Sequence, residues 1–281
     1  MTAHHVVVGV DGSLVATRAL DRATAEAKRR GAALHMVYAV PDRDEAGPVL
    51  AAAVSRVRDR RPDLPVMASA FEGRAVDALL RAGRGADLTV VGTRGLGGIT
   101  GRLLGSVSLR LAAHTRSPLL VVRGDHLSRE CGKVLLGVEN DADAAAYAFA
   151  EAERRSVSLN VLHARTNRHL TPELPALVSA TSPGQVEAVR LARSEEAVPR
   201  FTVAELRERY PHVGVDTRTV RTGPAHALLQ ATRDADVVVI AAHRRPGRLR
   251  PWPGSVTRTL LHHSHCPVVV VPVAVGDGPS S

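Results

Sequence analysis

The sequence predicts an α/β protein of two tandem domains, each a five-stranded parallel sheet with helices on both faces. Three observations carry that prediction: valine-rich runs that alternate with amphipathic helical periods, an internal repeat spanning both halves, and a length of 281 residues, ordinary for two domains. VVVGVDGS (Val6 to Ser13) returns as VLLGVEND (Val134 to Asp141), and the Ala78–Leu80 and Ala86–Asp87 pattern returns at Ala227–Leu229 and Ala235–Asp236. GSVS at Gly105 returns as GSVT at Gly254, and SPLLVV at Ser117 returns as CPVVVV at Cys266. The offset is 128 between Asp11 and Glu139 and 149 between Gly105 and Gly254, so the second copy carries a net insertion of 21 residues. Similarity fails near 165–210, which places the insertion there. The expected domains are residues 1–124 and 130–275.

Within the first copy, Val6–Val10 reads as a strand buried on both faces. DGSLVATRALDRATAEAKRR follows as an amphipathic helix with Leu14, Ala19 or Leu20 and Ala23 on its apolar side, stopped by Gly31. Leu34–Val40 and Val66–Ala70 are the second and third strands, and GRAVDALLRAGRG is a helix. Leu88–Gly92 is the fourth strand, Leu104 to His114 a short helix and Leu119–Val122 the fifth strand. Asp125 to Arg129 is the polar linker, and the tail AVGDGPSS is expected to be disordered. In the insertion, Val186, Val189 and Ala192 share one helical face, and Val203 and Leu206 another; a longer version of the normal second helix accounts for it, as does a helical arm or lid.

Composition narrows the classes. Hydrophobic residues make up 44% and charged residues 23%, which fits a globular core, while 2% aromatics require that core to be built from Val, Leu and Ala. No apolar run reaches the length of a membrane span, and the N-terminus lacks a signal-peptide pattern, so the cytoplasm is the expected compartment. Cys131 and Cys266 are far apart and show no metal or disulfide spacing. The net charge of +9 invites nucleic acid as a partner, but the arginines are dispersed and only Lys28 and Lys133 are lysines, so nucleic acid is not expected as the main one. The run His262 to Cys266 reads as a helix C-terminus, where imidazole complements the dipole, in preference to a metal site.

The chemistry lies in VVGTRGLGGITGRLLGSVS, Val90 to Ser108. In a parallel sheet, ligands bind beyond the carboxyl ends of the strands where the strand order reverses. Gly92 ends the fourth strand, and the glycines after it let backbone approach a ligand without Cβ interference. Successive amides there can form an anion nest, and Gly105-Ser106 opens a helix whose first N–H groups favour phosphate. No GxxxxGK[ST] exists, and GVDGS is not the dinucleotide fingerprint. Asp11, taken alone, reads equally as a helix cap.

The spacing Gly92-x2-Gly95-x9-Gly105-Ser106 resembles that of the nucleotide-binding members of the universal stress protein family, and the resemblance covers essentially the whole chain as two domains. It implies two Rossmann-like (adenine nucleotide alpha-hydrolase-like) domains and an ATP-binding stress-response protein, with the nucleotide, with or without Mg, held by the first domain. Carried over residue by residue, Asp11 contacts the adenosine end and Ala39 meets adenine through its backbone, although the family more often has Val there, after His where this chain has Tyr38. Gly92, Gly95, Gly105, Ser106, Val107 and Ser108 hold ribose and phosphates. The resemblance also implies an intrachain pseudo-dimer that joins Leu119–Val122 to Val268–Val271, and further homodimerisation.

In the second copy Gly92 becomes Ala241, Gly95 becomes Arg244, and Pro246, Pro251 and Pro253 remove N–H donors, so this copy is not expected to bind ATP in the family manner. A serine N-cap accounts for its retained GSVT. Arg244, Arg245, Arg248 and Arg250 with Trp252 form either a solvated arginine loop or a side-chain grip for phosphates. No metal-holding acid or positioned base is evident near the glycines, so the chain is not expected to be an enzyme beyond slow incidental ATP hydrolysis. The alternative is a nucleotide-independent interaction module.

Overall fold

The computed structural model describes residues 4–93, 106–123, 131–138, 141–164, 203–242 and 253–273. The first half runs β1 (His5–Gly9), α1 (Leu14–Arg30), β2 (Ala33–Val40), α2 (Gly47–Arg60), β3 (Val66–Glu72), α3 (Ala75–Ala82), β4 (Leu88–Gly92), α4 (Ser106–His114) and β5 (Leu119–Val122). The second half repeats the order with β6 (Lys133–Gly137), α5 (Ala142–Arg155), β7 (Ser158–Ala164) and α6 (203–209). It continues with β8 (Val215–Val220), α7 (Pro224–Ala231), β9 (Val237–Ala242), α8 (Ser255–His263) and β10 (Val268–Pro272). The linker and most of the insertion lie outside the described residues, as does the tail; the end of the insertion is α6, whose Val203 and Leu206 are buried as their spacing predicts.

All ten strands form one sheet in the order β3-β2-β1-β4-β5-β10-β9-β6-β7-β8. Within each half the neighbours are parallel, as the β–α alternation requires. The halves meet at an antiparallel seam, with Val268 opposite Val121, Val269 opposite Leu120 and Val270 opposite Leu119. Because the seam is antiparallel, the carboxyl ends of the two sets of strands open at opposite edges of the sheet. The loops that align in sequence therefore start on opposite sides of the molecule.

Helices α1, α2, α5 and α6 pack on one face of the sheet and α3, α4, α7 and α8 on the other, so each strand at the centre is covered twice. That explains the unbroken valine runs: Val6, Val7 and Val8 are fully buried, as are Val237, Val238 and Val239. Small apolar residues carry the helix–sheet contacts, and Phe149 is the largest enclosed side chain.

Helix α1 begins at a Ser13 cap and ends where Gly31 takes the left-handed conformation at φ 60°. Its buried stripe is Ala16, Ala19, Leu20, Ala23 and Ala27. Leu14, expected on the apolar side, is instead 82% exposed. At about 100° per residue it points some 160° away from Ala16. The third strand runs to Glu72, two residues past its expected end.

Helices α1 and α5 carry a charged cluster close to the seam. Glu26 and Glu151 are almost completely buried, at 0% and 1%. Arg30 bonds to Glu26 within its own helix and reaches Glu151 at 2.7 Å, while Arg155 bonds to Glu151 at 2.6 Å and reaches back to Glu26. The arrangement is two-fold symmetric because AEAKRR (Ala25–Arg30) and AEAERR (Ala150–Arg155) are the same segment at an offset of 125. Burial alone would raise the Glu151 carboxyl, but Arg155, Arg30 and Arg154 outweigh it and hold it down at about 2. Among the described residues, no helix is long and apolar enough to cross a membrane.

Candidate functional site

The first half has its topological switch between β1 and β4: the chain leaves β1 for β2 on one side and returns through α3 to β4 on the other. Asp11 follows β1 by two residues and Gly92 closes β4, so the register Val6–Leu88, Val7–Thr89 and Val8–Val90 carries both to the same edge. Ala39 lies near the end of β2. One of its edges is in register with Phe71, and the other lies past the last β1 pair, Gly9 with Val37, so that edge of its backbone is not taken up by the β1 ladder. Ser106 is exposed at the first position of α4, Val107 is half-buried, and Ser108 is turned into the packing at 1% exposure. Gly95 and Gly105 lie outside the described residues.

The turn between β1 and α1 is built from side-chain bonds. Asp11 Oδ1 accepts the Ser13 N–H at 3.0 Å, and Ser13 Oγ accepts the Ala16 N–H at 3.1 Å. Ser13, not Asp11, is thus the helix cap, and Asp11 shapes the turn that leads into it; Gly12 between them has φ +80°, a conformation other residues rarely take. Ser13→Ala should therefore lower stability by about 1 kcal/mol, read from the urea midpoint, by leaving a first-turn N–H without its partner.

Gly92, half-buried at the end of β4, has a structural role. A Cβ there would fall 2.7 Å from Val15 Cγ1 and 3.2 Å from the Val15 carbonyl oxygen, so the first turn of α1 rests on its bare backbone. On the far side of that helix, Ala16, Thr17 and Leu20 face a cavity of about 410 Å³ shared with Val49 and Ala53 of α2.

In the second half, Ala241 occupies the place of Gly92 within β9. Arg244, Arg245, Arg248, Arg250 and Trp252 lie outside the described residues. The explanation of GSVT by a serine cap fails. Ser255 is the first helical residue, the cap is Gly254, and no side-chain cap bond forms. The segment instead supplies core: Val256 packs against the α7–α8 side and Thr257 is 6% exposed, the counterpart of buried Ser108. Among the described residues, nothing lies within 4 Å of where a Cβ at Gly254 would fall. Between α8 and β10, Cys266 is buried and its thiol is pushed up to about 12 by that burial, the signature of an inert packing thiol.

A sequence model of the universal stress protein family matches residues 2–65, 55–123 and 131–272. The chain is 30% identical to Universal stress protein Rv2005c of Mycobacterium tuberculosis over 95% of this chain and 96% of that protein. A universal stress protein from Archaeoglobus fulgidus shares the fold, with a TM-score of 0.66, 15% identity and 97% of each chain covered. A universal stress protein solved in complex with cAMP is 34% identical over 44% of this chain and 98% of its own, with a TM-score of 0.39; its ligand is a property of that protein.

Proposed function

The chain belongs to the universal stress protein family, and from that premise we propose that residues 1–124 bind ATP, that residues 130–275 do not bind it in the same manner, and that occupancy regulates the protein's contacts. The observation that supports this reading is that Asp11, just past β1, and Gly92, closing β4, lie at one edge of the switch point; on this reading the N-terminus of α4 at Ser106 completes the site. A helix N-terminus with glycine-rich backbone before it favours phosphate, and a carboxylate beside it suits ribose hydroxyls. Adenine then lies against the Ala39 backbone. Mg²⁺, if present, enters with the triphosphate.

Calorimetry of ATP against the full chain tests this. Micromolar binding by the wild type is expected, with at least a tenfold loss in Asp11→Ala and in Gly105→Ala, since each removes about 1.4 kcal/mol or more of charge-assisted bonding or backbone approach. Wild-type protein that takes up no nucleotide, or variants that bind as tightly as it does, would overturn the assignment. Turnover is expected to stay far below about one per second.

A further inference from the structure

We propose that the nucleotide site of the first half is built by the first turn of α1, seated on Gly92, with Val15 as its positioning residue; the proposal rests on the ATP reading above. The two halves provide their own comparison. Helix α1 has 17 residues and α5 has 14. Both end in a left-handed cap, at Gly31 and Ser156. Their buried faces correspond at an offset of 125: Ala19, Leu20, Ala23, Glu26 and Ala27 match Ala144, Ala145, Ala148, Glu151 and Ala152. Leu14, Val15 and Ala16 then have no counterpart. Three residues are about 4.5 Å of helix, so α5 stops nearly one turn short of the place that α1 reaches.

The missing turn and the glycine vary together. In the first half the turn is present, Val15 lies against β4, and residue 92 carries no Cβ. In the second half the turn is missing and Ala241 carries one. A methyl at Gly92 would meet Val15 Cγ1 at 2.7 Å, a separation carbon atoms do not tolerate, and the Val15 carbonyl oxygen at 3.2 Å, so Val15 and the turn that carries it must give way. That turn is continuous with Ser13 and Asp11, whose bonds fix where the carboxylate points. The cavity beside Gly12, Ala16, Thr17 and Leu20 gives that turn room to move. Gly92 therefore acts on the ligand through Val15 and Asp11, in addition to any backbone approach of its own.

The test uses the full chain and four proteins: wild type, Gly92→Ala, Val15→Ala and the double variant. Gly92→Ala is expected to weaken ATP binding roughly tenfold or more, the cost of overpacking a seated contact. The double variant should bind at least about threefold more tightly than Gly92→Ala, because Val15→Ala removes Cγ1, the nearest atom the new methyl strikes, while the Val15 carbonyl oxygen at 3.2 Å remains. A double variant as weak as Gly92→Ala would overturn the proposal, since the methyl would then be obstructing the ligand itself. Urea midpoints without nucleotide give an independent arm: Val15→Ala should offset the loss caused by Gly92→Ala, and strictly additive losses would remove the seat. If the wild type takes up no ATP, the ATP reading fails, and the urea arm still decides whether Val15 and Gly92 are coupled.

Discussion

Glu151→Gln is expected to destabilise the protein by roughly 3–5 kcal/mol, because it removes the charge from one partner of a buried ion pair and leaves the others enclosed. Arg30 and Arg155 have side chains only 6% exposed, and each is shared between Glu26 and Glu151. With Glu151 neutral, Arg30 and Arg155 are left with Glu26 alone, which Arg22 also pairs at 3.2 Å. Arg154→Ala is the internal contrast. Its side chain is 30% exposed, so the loss of its 3.0 Å pair with Glu151 should cost about 1 kcal/mol or less. Guanidinium midpoints of the two variants at neutral pH make the comparison, and equal losses would contradict it.

The same cluster sets an acid limit. The Glu151 carboxyl is held down at about 2 in the folded chain, against an ordinary value of 4.5. A depressed folded pKa means that its stabilisation is complete above the unfolded value and is lost as pH falls from there towards 2. Stability measured across that window should decline more steeply in the wild type than in Glu151→Gln, which has no carboxylate left to protonate.

Val269→Asp should be the most damaging single change in the sheet, costing more than about 4 kcal/mol by burying a charge with no partner. Val269 is 1% exposed and sits opposite Leu120 in the middle of the seam, with β9 on its other side. Val269→Thr tests the same place more gently: one buried hydroxyl replaces a methyl, for a loss of about 1–3 kcal/mol. The structure also implies a difference of kind. Changes in the seam act on both halves together, so Val269→Thr should shift a single unfolding transition. Two separate transitions in the wild type would contradict a continuous ten-stranded sheet.

The glycine spacing marks the proposed site, because phosphate recognition by backbone would leave its trace in residue type. The repeat marked the two halves, since buried parallel strands are written as apolar runs. The repeat is plainest at offsets of 128 and 149; between them AEAKRR and AEAERR correspond at an offset of 125. That segment was legible, as two acidic residues at matching places on apolar helix faces. Its meaning was not, because each glutamate draws an arginine from the other half.

Sequence by itself determined the alternation of strand and helix, the duplication, and the glycine spacing on which the proposed site rests. These follow from local rules: side-chain periodicity, backbone freedom and the chemistry of exposed amides. Only tertiary structure decided that the seam is antiparallel and the two strand ends open on opposite edges, because pairing between distant strands depends on how whole layers pack. It also decided that Gly92 supports a helix turn, that Ser13 and not Asp11 caps it, and that Leu14 faces solvent. Each of these depends on what a side chain meets across space, and distance along the chain carries no record of that.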